Sequence, residues 1–326
     1  MIRRRTLLGS LAAAAVAPTV LRAQVPQRPV IGFLNGQPSA SVAHLVGALR
    51  IGLGSRGYFE GVNLAISYRW AELGSNDLVA LARDLLNDGP NVLFVAGGDV
   101  AIEVAQEATA RVPIVFVTGS DPVAAGFVDS LSQPDGNLTG ISLFAVSLEQ
   151  KRLELLHTLL PGVRTISVLL DPGPTYPLIS RQLEAAAARL GVSLRLLVAG
   201  SEADIDAAFA VMAADGTEAL LVAGDSFYFS RRQQIVRLAN RARIPAFYTQ
   251  REYVLAGGLI SYGTSIASAY RNAGAYLGRI LDGEAVADLP VMQATDFEFV
   301  VNLDAARALG LDIAPEVMVA ATEFVE

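Results

Sequence analysis

The 326-residue chain has no cysteine and only two histidines, His44 and His157. The first absence excludes disulfides, thiolate metal sites and cysteine nucleophiles outright. The second leaves a Ser-His-Asp triad or a zinc site little to draw on. Both histidines lie in helix-like stretches, where a surface or packed histidine is the expectation. Lys151 is the single lysine, and a net charge of −7 gives a nucleic-acid partner no electrostatic footprint. GxxxxGK followed by Ser or Thr does not occur, and the GxGxxG match Gly52-Leu-Gly-Ser-Arg-Gly57 closes a helix-like stretch instead of joining a strand to a helix, so no nucleotide fingerprint is in place. No cofactor or metal is expected. Beyond the first residues, no run is long and apolar enough to span a bilayer.

What is present is a chain with 52% hydrophobic and 17% charged residues, enough to build large cores. Its length suits two domains. At the N-terminus, Arg3-Arg4-Arg5 precedes an apolar stretch from Leu7 to Val20. A charged region followed by a short apolar one reads as an export signal over 1–23, either twin-arginine or Sec, with cleavage expected after Ala23. The expectation is a soluble, exported, periplasmic protein.

One pattern occurs twice. Val92-Leu93-Phe94-Val95-Ala96-Gly97-Gly98-Asp99 is an apolar run ending in glycines and a carboxylate, and Ala219-Leu220-Leu221-Val222-Ala223-Gly224-Asp225 repeats it. The flanks repeat as well: a helix-like stretch ending in Asp-Gly precedes each run. After the first copy comes Arg111-Val-Pro-Ile-Val-Phe-Val-Thr118, and after the second Arg243-Ile-Pro-Ala-Phe-Tyr-Thr249. Strand-length apolar runs alternate with helical periodicity and short loops throughout, which is the signature of doubly wound parallel sheets. The predicted fold is therefore α/β, with two similar lobes joined by about three crossings near 142, 262 and 295. Lobe 1 is assigned 28–142 plus about 263–294, and lobe 2 is assigned 143–262 plus about 295–326. Residues 257–262 read as the strand returning to lobe 1, and 121–131 as a turn and short helix.

In open α/β sheets ligands bind beyond the carboxyl ends of the strands, and two such lobes leave a cleft there that can close by hinge motion. The loops at those ends define the candidates: 35–39, 97–99, 118–121, 171–176, 225–227, 248–251 and Tyr262. Asn35 ends the first strand. Gly97 and Gly98 allow close backbone approach, or they serve a plain positive-φ turn. Thr118 and Asp121 could accept an ammonium, though Asp121 could equally cap the turn opened by Pro122. Arg251 could pair a ligand carboxylate, or pair Glu252 on the surface. Tyr176, Tyr248 and Tyr262 could stack on a planar group. Asp225 mirrors Asp99, which suggests a turn role. A cleft with both Arg251 and carboxylates suits a zwitterion, so a small amino-acid-like or aromatic solute is expected.

Several segments together carry a family likeness: Leu53-Gly-Ser-Arg-Gly-Tyr-Phe-Glu-Gly-Val-Asn63, Pro113-Ile-Val-Phe-Val-Thr-Gly-Ser-Asp-Pro-Val123, Gly136-Asn-Leu-Thr-Gly140, Lys151-Arg-Leu-Glu-Leu-Leu156 and Gly257-Gly-Leu-Ile-Ser-Tyr-Gly263. In these the chain resembles the ABC transporter substrate-binding proteins of the tryptophan/tyrosine-transport type, which have the periplasmic-binding-protein type I fold. The resemblance implies a non-catalytic receptor, expected to be monomeric, that delivers solute to an ABC permease and its ATPase. It also implies that Asn35, Gly97-Gly98 and the Thr118–Asp121 turn face the ligand. One departure is the loop Asp171-Pro-Gly-Pro-Thr-Tyr-Pro177, where the family pattern leads one to expect an asparagine-rich turn. A carboxylate-using periplasmic hydrolase and the ligand-binding subunit of a sensory system are the competing readings.

Overall fold

The structure is a computed structural model that describes residues 28–71, 77–143, 148–173 and 175–326. The expected export segment, 1–23, lies outside the described residues. In chain order the first unit runs β1 (Val30–Asn35), α1 (Ser39–Gly54), β2 (Ala65–Trp70), α2 (Leu78–Asn87), β3 (Val92–Ala96), α3 (Asp99–Ala108), β4 (Ile114–Thr118) and β5 (Leu138–Ser142). The second runs α4 (Glu149–Leu159), β6 (Thr165–Leu170), α5 (Tyr176–Leu190), β7 (Ser193–Val198), α6 (Glu202–Ala214), β8 (Ala219–Val222), α7 (Ser226–Ser230), α8 (Arg232–Ala242), β9 (Ala246–Tyr248), α9 (Arg251–Leu255) and β10 (Ile260–Thr264). The remainder comprises α10 (Ile266–Leu281), β11 (Met292–Gln293), β12 (Phe297–Asn302), α11 (Leu303–Leu309), α12 (Pro315–Ala320) and β13 (Glu323–Val325).

Two sheets result. The first has the order β11-β5-β4-β3-β1-β2, and the second β13-β12-β10-β9-β8-β6-β7. All pairings in the first sheet are parallel; in the second, β12 runs antiparallel to β10. The repeat seen in the sequence is thus a repeat of position. β3 sits between β4 and β1, as β8 sits between β9 and β6. Both copies are buried along their whole length. Helices on both faces remove water from each side of a central parallel strand, so its sequence is continuously apolar rather than alternating.

The chain passes from the first sheet to the second between β5 and α4. It returns between β10 and α10, and leaves again between β11 and β12. The strand expected to return to lobe 1 instead completes the second sheet, with Ile260 paired to Phe247 and Val301. The crossing follows it at once, where Ser265 caps α10 through Ser268 N. The crossing strands are tied side by side: Thr264 Oγ1 donates to Leu143 O (3.0 Å), Ser265 N to Asp296 O (2.8 Å) and Ala294 N to Ser142 O (2.9 Å).

α10 seals the first lobe against α1. A Cβ on Gly52 would stand 1.9 Å from Arg271 O, and one on Gly274 would stand 2.2 Å from Leu49 O. The two helices approach this closely only because both positions lack side chains. The short helix expected near 121–131 is instead a series of turns, closed by Ala125 N on Asp121 O and by Gly126 at φ 76°. One apolar cluster includes residues of both lobes, among them Val42, Leu45, Phe229 and Tyr253.

Candidate functional site

A cavity of about 530 Å³ lies between the lobes, beyond the carboxyl ends of β1, β3, β4, β6 and β8. Its lobe 1 wall is built on Asn35, which is fully buried at the end of β1. Asn35 Oδ1 accepts from Gln37 N (2.9 Å), and its Nδ2 donates to the Tyr270 hydroxyl (3.0 Å), so one amide orients both the β1 loop and a ring of α10. Gly97 packs on this loop at φ 88°, and a Cβ there would stand 2.2 Å from Asn35 Oδ1. No other residue type fits. Gly98 follows at φ 121° and starts α3.

Asp99 is held at both carboxylate oxygens. Thr118 Oγ1 donates to Oδ1 at 2.6 Å, and Ser120 Oγ to Oδ2 at 2.5 Å. Such charge-assisted bonds are short and strong. Thr118 itself is buried and accepts from Ser120 N (3.0 Å), so the end of β4 fixes the acidic group that opens α3.

The lobe 2 wall carries Asp171 and Asp225. Asp171 accepts from Gly173 N (2.7 Å), and burial raises its pKa. Asp225 caps α7 by accepting from Phe227 N (2.6 Å) and Tyr228 N (3.1 Å). Burial, then the like charge of Asp171, pushes its carboxyl up to about 6 against the pull of those N–H groups. Behind it, Glu149 Oε1 accepts from Gly224 N (2.8 Å) and Arg152 Nη1 (2.7 Å), in an ion pair 0% and 1% exposed. Burial raises the Glu149 pKa, opposed by Arg152 and the Gly224 N–H. Arg152 Nε donates to Tyr262 O (2.8 Å), so the same pair joins the start of α4 to β10, the helix and strand that flank two of the crossings.

The two walls touch. Gln37 Nε2 donates to Ser226 O (2.8 Å), and Arg232 Nη2 to Ser41 O (3.0 Å). His44 Nε2 lies 3.4 Å from Glu252 Oε1. The lobes are therefore closed on one another.

Of the residues singled out in the sequence, Gly97, Gly98 and Asp225 line the cavity, and Asn35 and Thr118 stand directly behind its wall. The other five are placed elsewhere. Asp121 is exposed and caps its own turn, accepting from Val123 N (2.9 Å). Tyr176 packs against the second lobe's core. Tyr248 is fully buried and stacks on Tyr253 (4.9 Å, 13°). Arg251 pairs with Glu323 on β13 (2.8 and 2.9 Å) rather than with Glu252 or a cavity group. Tyr262 stacks on Phe297 (5.9 Å, 10°). Phe229, Tyr270 and Ile266 line the cavity although no strand-end loop contains them. They enter from α7 and α10, and nothing in their local sequence marks them. Among the described residues, no group of three or more His, Cys, Asp or Glu side chains could hold a metal ion, and no helix is long and apolar enough to cross a membrane.

This geometry has counterparts among known proteins. A family model described as ABC transporter substrate binding protein matches residues 31–325. A tyrosine-binding protein of Clostridioides difficile (strain R20291) is 26% identical over 260 residues, which are 79% of this chain and 74% of that protein. Among solved structures, a conserved domain protein from Vibrio cholerae O1 biovar El Tor is 28% identical, with TM-score 0.83 over 91% of this chain and 100% of that one. An ABC domain from Streptococcus pneumonia in complex with L-Trp is 23% identical, with TM-score 0.79 over 90% and 100% of the two chains. The shared architecture is the periplasmic-binding-protein type I fold.

Proposed function

Because the chain belongs to the ABC transporter substrate binding protein family, we propose that it is an exported, non-catalytic receptor for a small organic solute, amino-acid-like or aromatic. It would deliver that solute to an ABC permease driven by its ATPase. The observation that carries this reading is the cavity itself. It is about 530 Å³, suited to a small molecule, and both lobes contribute strand-end loops to its wall. Bonds between the walls, such as Gln37 to Ser226, link closure to what lies inside.

The relatives named for tyrosine and for L-Trp support an aromatic amino acid or a close analogue as the solute class. Gly97, Gly98 and Asp225 would contact it, with Asn35 and Thr118 positioning the wall. Tyr270 and Phe229 would supply ring faces, since aromatic pairs contribute about 0.5–1.5 kcal/mol beyond the area they bury. A thermal-shift screen over amino acids, aromatic amines and acids, and sugars tests the reading. A ligand that binds only the folded state raises its stability by mass action. A shift with an amino-acid-like or aromatic compound, recovered unchanged after incubation, is expected. Silence across those compounds together with clear binding of a sugar overturns the solute class, and turnover overturns the non-catalytic role. Export is tested by N-terminal sequencing of the protein from the periplasm, where an intact Met1 would contradict it.

A further inference from the structure

Four carboxylates stand on the cavity wall: Asp99 and Glu103 from lobe 1, and Asp171 and Asp225 from lobe 2. Among the described residues that line the cavity there is no arginine, lysine or histidine. Acidic residues alone could serve turns and caps, as Asp225 partly does. The hydrogen bonds narrow the choice, because five backbone donors of the strand-end loops are already engaged. Gly36 N bonds to Ala96 O, Gln37 N to Asn35 Oδ1, Ser120 N to Thr118 Oγ1, Gly173 N to Asp171 and Gly224 N to Glu149. The Thr118 and Ser120 hydroxyls commit their protons to Asp99. Arg232, a cation stacked over Phe229 at 4.7 Å, donates Nη1 to Phe229 O and Nη2 to Ser41 O.

An independent sign comes from Gln37. This wall residue is 6% exposed, and its Nε2 is held by Ser226 O, yet its buried Oε1 has no hydrogen-bond partner. A buried amide oxygen left without a donor is costly, and a ligand N–H would satisfy it. A carboxylate on the ligand meets the opposite situation. The first turn of α3 would favour an anion, but Asp99 already places its own carboxylate there.

We propose that the ligand is an aromatic amine without a carboxylate. Its protonated nitrogen would be held by Asp99, Asp225 and Gln37 Oε1, with its ring against Phe229 and Tyr270. This rests on the solute-receptor reading above and narrows it from amino-acid-like or aromatic solutes to cations.

The test uses calorimetry and thermal shift on the full chain with six compounds in three pairs. Tyramine and tryptamine carry the amine alone, tyrosine and tryptophan carry both charges, and 4-hydroxyphenylacetate and indole-3-acetate carry the carboxylate alone. At least one amine is expected to bind about tenfold or more tightly than its parent amino acid, a difference of about 1.4 kcal/mol, with the acids silent. Asp225→Asn keeps an oxygen to cap α7 and is expected to weaken amine binding by at least about tenfold. Asp171→Asn serves as a second variant should the first fail to fold. Tighter binding of the amino acids than of the amines, or binding of the acids, overturns this inference and leaves the solute-receptor reading standing. Silence of all six overturns this inference; silence that extends across the wider screen of amino acids and aromatic amines and acids, with a sugar bound, overturns the solute class as well.

Discussion

Gly98 of lobe 1 meets Ser226 of lobe 2 across the cleft so closely that a Cβ on Gly98 would stand 2.9 Å from Ser226 Oγ. Closure therefore depends on the smallest side chain at one position and a small one at the other. Gly98 also sits at φ 121°, where L-residues are strained by roughly 1–3 kcal/mol. Gly98→Ala is expected to lower stability by that amount and to weaken ligand binding by about tenfold. Adding Ser226→Gly removes the clash and leaves the strain. The double variant should regain affinity without regaining stability, a coupling that a mutant cycle reads directly. Equal loss of affinity in the single and double variants would count against closure at this contact.

Asp225 gives the folded chain a pH signature. With its carboxyl pushed up to about 6, the folded state holds a proton that the unfolded state has released at an ordinary carboxylate pKa. Its contribution to stability is complete below the unfolded pKa and falls as pH rises towards the folded one. It is gone above pH ~7. Asp225→Asn, which has no charge to bury, should therefore be more stable than the parent at pH ~7.5 by on the order of 2–3 kcal/mol. The gap should shrink at pH ~4.5. Urea denaturation at the two pH values measures it, and a gap that does not change with pH would contradict the assignment to Asp225.

The Glu149–Arg152 pair supports the site from behind. Arg152→Met would strand the Glu149 carboxylate in the protein interior, which costs about 3–5 kcal/mol. Replacing both members with apolar residues should recover much of that stability, because neither charge is then left unpaired. The double variant still loses the acceptor for Gly224 N, which precedes Asp225 on the cavity wall. Its ligand affinity should remain below that of the parent even where its denaturation midpoint recovers. Affinity returning together with stability would show that Glu149 acts on the fold alone.

Arg251 offers the converse test. Its guanidinium is held by Glu323 on the outer strand of the second sheet, with the side chains 30% and 42% exposed. Such a pair contributes about 0–1 kcal/mol. Arg251→Ala should lower the melting temperature slightly and leave ligand affinity within about twofold, a difference well under 1 kcal/mol. A large loss of affinity in calorimetry would show that Arg251 reaches the ligand after all.

Much of the architecture was legible in the sequence because parallel strands buried on both faces are written as unbroken apolar runs. Val92–Ala96 and Ala219–Val222 carry that mark, and their flanks announce the helices that cover them. The carboxyl ends of those strands locate the cleft, and they pointed to Gly97, Gly98 and Asp225. The residues of 257–262 looked like the entry to another lobe. They lead instead into β10 of the second sheet, since its parallel pairing with β9 and antiparallel pairing with β12 depend on partners that local pattern does not name.

By itself, then, the sequence determined that there are two doubly wound lobes, where their strands end, and that cysteine chemistry is impossible. Only the tertiary structure decided which side chains at those ends turn inward. Tyr248, Arg251 and Tyr262 lie close to the right loops, yet each finds a better partner away from the cavity, in Tyr253, Glu323 and Phe297 respectively. Tyr270 reaches the wall on a helix that follows a crossing, and it is oriented by Asn35, 235 residues earlier in the chain. The charge state of Asp225 depends on its burial and then on Asp171, at the end of a different strand. Strand periodicity is a local property that runs along the chain, whereas burial, pairing and electrostatic coupling act through space between residues distant in sequence.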